Sequence, residues 1–267
     1  MERTCRLILV GLLIATAAQT ATAAYNIADL NKDGIVDMVD LAIFADNWQS
    51  MAYFPDPDIT FVPIGAVTFL MGDETGYGGS NEKPVHAVTL DAFEISKYEV
   101  TNHQYALFLN SAKVNRLAKV VNGIVYDAGD ADNTEPWFKT YAAESDSSIS
   151  YSGGVFGVRN SDGKDMKAHP VREVTWFGAK AFCDYYGWRL PTEAEWECAA
   201  RGGYHDPYGK YPWGSDDING SRCNYGGNTP PPRTTPVGNY PAWGYGICDM
   251  AGNVYEWCND WYAADYY

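Results

Sequence analysis

At 267 residues the chain is long enough for one large domain and a small appendage. Its formal charge of −15 speaks against nucleic acid or an anionic membrane surface as partners, and its carboxylates favour hard cations.

Residues 1–24 have the layout of a signal peptide. Arg3 and Arg6 form the basic start, Leu7 to Ala18 the apolar run, and Ala21-Thr22-Ala23 an A-x-A cleavage site. The run is too short to span a bilayer comfortably, so no membrane span is expected after cleavage. The expected location is secreted, periplasmic or cell-surface, where disulfides are allowed. Cys5 would leave with the signal, and Cys183, Cys198, Cys223, Cys248 and Cys258 would remain, an odd set with no C-x-x-C pair. His86, His103, His169 and His205 are scattered and show no ligand spacing.

Residues 25–50 centre on DLNKDGIVDMVD. Asp29, Asn31 and Asp33 occupy positions one, three and five of a calcium loop, and Gly34 falls at the sharp turn. The Ile35 carbonyl, Asp37 and Asp40 fall at seven, nine and twelve. Leu41, Phe44, Ala45 and Trp48 form one face of an exit helix. A loop and exit helix without an entering helix resembles one repeat of a type I dockerin. Dockerins usually carry two repeats, so this one offers half the surface that meets a cohesin. Residues 51–58, with Pro55-Asp56-Pro57-Asp58, form a stiff linker, and the large domain is expected from 59 to 267.

Phe61 to Met71 reads as strand, and Val85 to Val100 alternates well enough for two short strands. Thr101 and Gln104 form a capping box that opens a helix with Tyr105, Phe108 and Leu109 inward. Residues 111–165 read as a long surface insertion without chemistry, with a hairpin at Asn122-Gly123. Thr175 caps a second helix whose inward face is Trp176, Ala179, Cys183 and Tyr186, stopped at Gly187.

GWRLPTEAEWECAARGG, residues 187–203, predicts a short helix. Thr192 and Glu195 form a capping box, Glu193, Glu195 and Glu197 suit its start, Arg201 suits its end, and Gly202 supplies a left-handed stop. Trp196, Ala199 and Ala200 give it one apolar stripe. Beyond Gly203 the chain is rich in Gly, Pro, Tyr and Trp, and regular structure is expected to be sparse.

RLPTEAEWE followed by AARGG, together with EKPVHAVTLDAFEISKYEVTNHQY, resembles the formylglycine-generating enzyme, or sulfatase-modifying factor, family. The resemblance implies an α+β, C-type-lectin-like mixed fold with much irregular structure. GICDMAGNVYEW, residues 246–257, is similar to the family's calcium loop. Carried over by position, Asp249 and Glu256 would give carboxylates, and Gly252 and Val254 backbone carbonyls. A second family calcium site would use Asn224 and the Tyr225 carbonyl, but Thr229 to Thr234 offers no acid to complete it. Family enzymes bind Cu+ through a later cysteine pair, activate oxygen and oxidise a sulfatase cysteine to formylglycine. No cysteines here have that spacing, so the chain reads as a C-terminally truncated fragment, without a catalytic or copper-binding residue to name. The expected partner is a sulfatase polypeptide. The alternative is a non-catalytic module that binds an extracellular glycan or protein and is attached through the dockerin-like repeat.

Overall fold

The computed structural model describes residues 5–6, 57–73, 76, 78–202, 209–226 and 233–263. The calcium loop expected at Asp29 to Asp40, and all of the signal peptide except Cys5 and Arg6, lie outside the described residues. Twelve short strands and three α-helices are described, a mixed α+β architecture. Strand β1 is Cys5–Arg6, beside β5 (Phe93–Ser96) in parallel.

The stretch from Phe61 to Met71 is two strands rather than one. Strand β2 (Phe61–Ile64) pairs antiparallel with β5, Phe61 opposite Ser96. Strand β3 (Val67–Met71) pairs with β4 (His86–Leu90) in a separate sheet, Val67 opposite Leu90. The exposed pair Gly65-Ala66 interrupts the alternation between them and lets the chain change sheets.

Helix α1 (Asn102–Val114) starts as its sequence dictates. The Thr101 hydroxyl accepts from the Gln104 N–H, and the Gln104 side chain accepts from the Thr101 N–H. Tyr105, Phe108 and Leu109 are buried. The expected hairpin is present as β6 (Ala118–Val121) and β7 (Ile124–Asp127), with Asn122 at φ 50° and Gly123 at φ 80°, the left-handed pair a two-residue turn needs.

Residues 111–165 are not a surface insertion. They hold β6 and β7, then β8 (Pro136–Lys139), β9 (Ile149–Ser152), β10 (Val155–Val158), β11 (Asn160–Ser161) and β12 (Lys164–Asp165). Val125, Phe138, Ile149 and Phe156 sit in the main core with Tyr105, Phe108 and Phe182. The scattered aromatics of that stretch are therefore its core contribution; the strands are too short to show as periodicity.

Helix α2 (Trp176–Tyr185) is capped by the Thr175 hydroxyl, which accepts from the Gly178 N–H. A Cβ at Gly178 would lie 1.9 Å from the Trp137 carbonyl oxygen, so the helix backbone presses directly on β8. Phe182 is fully buried and stacks against Tyr105 at 5.7 Å between ring centroids, an inward residue absent from the expected face.

Helix α3 (Glu193–Arg201) has the predicted capping box and the left-handed Gly202, φ 63°. Its inner side packs Ala199 with Ile64, Phe93, Ile95, Ile247 and Met250. Glu195, expected as a capping-box residue and a favourable charge at the helix start, is also buried and takes a forked ion pair from Arg189 at 2.6 and 2.7 Å. After Arg201 the described chain has neither helix nor strand, as expected.

Candidate metal centre

Two buried carboxylates, Glu99 and Asp249, and the half-buried Glu256 meet where the end of β5 approaches the loop from Asp249 to Glu256. Glu99 follows β5 and is 1% exposed; Asp249 is 8% exposed. Asp249, Gly252 and Asn253 have φ of 61°, 100° and 61°, so the loop coils tightly on itself. A Cβ at Gly252 would lie 2.1 Å from the Asn224 carbonyl oxygen. Only glycine fits that conformation and that approach.

Asn253 ties the parts together. Its amide donates to Glu99 Oε2 at 2.6 Å, its backbone N–H donates to the Asn224 carbonyl at 2.9 Å, and its Oδ1 accepts from the Thr235 N–H at 3.0 Å. Asp249 Oδ2 accepts from the Gly238 N–H at 2.7 Å. The Trp196 indole, on α3, donates to Glu256 Oε2. Trp257 donates its indole N–H to the Val174 carbonyl and Trp176 to the Cys258 carbonyl, both at 3.0 Å, so the loop is pinned to the start of α2. Asp260 accepts from the Glu193 N–H at 2.7 Å and fastens it to the start of α3 as well.

None of the three acids has a salt bridge among the described residues. Burial pushes Glu99 well above the ordinary carboxylate range, and repulsion from Asp249 and Glu256 adds to it. Burial does the same to Glu256, with Asp249 adding repulsion. Asp249 is pushed up to about 6 by burial, opposed by the Gly238 N–H. Glu99 Oε1 and Glu256 Oε1 are buried without a hydrogen-bond partner. Orphaned buried carboxylate oxygens are costly unless they are protonated or meet a cation. Among the described residues no three side chains of His, Cys, Asp or Glu are gathered into one metal shell.

The sequence-predicted residues Asp249, Gly252, Val254, Glu256, Asn224 and Tyr225 all line one cleft of about 970 Å³. Positions assigned to two separate sites are thus neighbours. Glu99 was missed by sequence reasoning. Its signal was the alternation Phe93, Ile95, Lys97, Glu99, which carries the inward face of β5 past its last residue to an acid.

The five later cysteines are all unpaired thiols, four of them buried. Cys183 donates to the Ala179 carbonyl inside α2. Burial raises Cys198 and Cys248 to about 11. It also raises Cys183, Cys223 and Cys258. Copper(I) binds thiolates, and burial favours the protonated form of each of these sulfurs in the metal-free protein.

A family model described as "Sulfatase-modifying factor enzyme 1-like domain" matches residues 48–267, starting earlier than the boundary expected at 59. The formylglycine-generating enzyme of Thermomonospora curvata is 35% identical over 77% of this chain and 73% of its own length. That of Streptomyces coelicolor is 36% identical over 74% of this chain and 68% of its own. A Chlamydia caviae protein named serine/threonine-protein kinase pkn1 is 36% identical over 80% of this chain, which spans only 30% of that relative's length. The solved structure of PvdO from Pseudomonas aeruginosa overlays with a TM-score of 0.55 at 25% identity, covering 79% of this chain and 74% of that one. The fold is that of this group, consistent with the C-type-lectin-like expectation.

Proposed function

The chain belongs to the sulfatase-modifying factor enzyme 1-like family, and from that membership we propose that it is a calcium-braced scaffold of a protein of the formylglycine-generating type. The observation that carries the calcium reading is the pair of buried, unpartnered oxygens Glu99 Oε1 and Glu256 Oε1 beside Asp249. Hard oxygen donors in a tight loop suit calcium. Asp249 and Glu256 would supply carboxylates, Gly252 and Val254 carbonyls, and water the remainder. Glu99 would offset the ion's charge and hold Asn253 in place. Asn224 and Tyr225 would steady the loop from the adjoining strand of chain.

The relatives' names point to formylglycine chemistry on a sulfatase polypeptide. When bound, copper(I) would supply oxygen activation at a thiolate pair, and no two of Cys183, Cys198, Cys223, Cys248 and Cys258 have the close sequence spacing of the family's pair. The reading therefore gives this chain the structural part of that protein, with residues 1–24 as export signal and Asp29 to Asp40 as a separate dockerin-like calcium loop.

The test has two arms. Incubated with copper(I), oxygen, a thiol reductant and a cysteine-containing sulfatase peptide, this chain should give no aldehyde by mass spectrometry. Calorimetry should show calcium uptake that Glu256→Gln weakens by at least about tenfold. Aldehyde formation, or calcium binding unmoved by Glu256→Gln, would each defeat the part it addresses.

A second reading, a non-catalytic glycan- or protein-binding module, is favoured by the same cleft. Tyr255, Trp257, Trp261 and Tyr262 are exposed along it. Aromatic faces of this kind stack on sugar rings and anchor protein partners. Quenching of tryptophan fluorescence by a neutral oligosaccharide would support it over the first reading.

A further inference from the structure

A second cleft, of about 500 Å³, lies in the region that looked chemically silent in the sequence, between the loop of residues 141–148, the turn after β10 and Arg233. In a chain of net charge −15 with only 19 lysines and arginines, three arginines line it: Arg159, Arg172 and Arg233. Their partners are unequal. Arg172 is committed: Nη2 donates to the Asp146 carbonyl at 2.6 Å, and Nη1 lies 3.9 Å from Asp146 Oδ2. Arg159 stacks its guanidinium on the Tyr141 ring, 3.3 Å from the centroid, and has no carboxylate partner among the described residues. Arg233 is exposed, holds φ 67°, and likewise has no side-chain ion pair among the described residues.

Asp146 and Asp162 share the cleft, so the surplus there is positive by one charge and falls on Arg159 and Arg233. Stacking fixes the plane of the Arg159 fork before any ligand arrives, which lowers the entropy lost on binding. Ser145 and Ser148 line the same walls, while the Ser147 hydroxyl is engaged by the Ile149 backbone. Arginine forks and hydroxyls on several sides suit an acceptor with oxygens pointing in several directions.

We propose that this cleft binds a doubly charged tetrahedral oxyanion, a sulfate or phosphate group, held chiefly by Arg159 and Arg233, with Arg172 pre-set by Asp146. Arg159 and Arg233 present two guanidinium forks to one oxyanion, with Asp162 offsetting one of their two charges. The inference is independent of the calcium loop and of any chemistry on a sulfatase.

The test titrates inorganic sulfate into the full chain against chloride at matched ionic strength, read by calorimetry. Saturable sulfate binding is expected, weaker by about tenfold or more in Arg159→Gln and in Arg233→Gln. Arg116→Gln, an exposed arginine elsewhere, should bind as the wild type does. Arg159→Lys keeps the charge and loses the planar fork, so it should also weaken binding; circular dichroism on each variant confirms folding. Binding of a sulfate or phosphate monoester at least as tight as the inorganic ion would name the ester as source; weaker binding would name the free ion, and either supports the site. A response no different from chloride, acetate binding as tightly as sulfate, or equal losses in Arg116→Gln would overturn it.

Discussion

The side-chain amide of Asn253 donates to Glu99 Oε2 at 2.6 Å across 154 residues of sequence. That bond joins the chain two residues before the Thr101 cap of the first helix to the late coiled loop and places Glu99 in the neighbourhood of Asp249 and Glu256.

Calcium should stabilise the large domain. An ion held a hundredfold above its dissociation constant adds about 2.7 kcal/mol. For a domain of this size that is roughly 5–10 °C in melting temperature. A calorimetric scan in calcium against EGTA measures it. Glu99→Gln should shrink the gain, while raising the melting temperature in EGTA because no carboxylate then has to take up a proton on burial.

The calcium-free protein should lose stability as pH rises. The folded state binds protons more tightly than the unfolded chain at Glu99, Asp249 and Glu256, whose affinities are all raised. Where the folded state carries more protons, stability falls with increasing pH. For Asp249 the window runs from the ordinary carboxylate value to about 6. A shift of that size is worth about 3 kcal/mol. Urea denaturation in EGTA should therefore give a lower midpoint at pH 7 than at pH 5. In calcium the fall should be smaller, because the ion takes over from the protons.

Gly178→Ala should destabilise despite alanine's better helix propensity. The propensity gain is about 1 kcal/mol. The added Cβ would sit 1.9 Å from the Trp137 carbonyl oxygen, which is backbone and cannot step aside cheaply. A net loss of about 2–4 kcal/mol by chemical denaturation is expected. Gly187→Ala, with open space around its Cβ and a left-handed backbone at φ 73°, should cost about 1 kcal/mol from conformation alone.

At the third helix, Thr192→Ala removes one capping acceptor and should cost about 1 kcal/mol. Glu195→Ala should cost more, about 2 kcal/mol, because the same carboxylate accepts from the Thr192 N–H at 2.8 Å and from both Arg189 nitrogens. Equal losses in the two variants would mean that the ion pair contributes nothing beyond the cap.

Asp33→Ala addresses the early calcium loop. It should remove one bound ion by calorimetry and leave the calcium-dependent rise in the large domain's melting temperature unchanged. A joint loss would mean that the two calcium responses are one.

The helices were legible because their signals are local. Thr101 with Gln104, Thr175, and Thr192 with Glu195 and Gly202 mark the ends within a few residues of chain, where hydrogen bonds to the first turn depend on little else. The loop from Asp249 to Glu256 stood out only through its likeness to the family's calcium loop; its residue types alone read as a turn into an aromatic strand. Its depth was not legible, because burial depends on what packs above it. The stretch from 111 to 165 was misread for the same reason: four-residue strands such as Ile149–Ser152 are too short for a pattern, and only their pairing and the packing of Phe138 and Phe156 make them core.

The sequence alone thus determined the helices, the main turns and the kinship, since each rests on contacts within a turn or on motif identity. Tertiary structure decided that Glu99 belongs with Asp249 and Glu256, that Glu195 is an interior charge held by Arg189, and that Arg159, Arg172 and Arg233 share a cleft. Those groups are far apart along the chain, and their energies depend on distance and solvent exclusion, which only the packed chain sets.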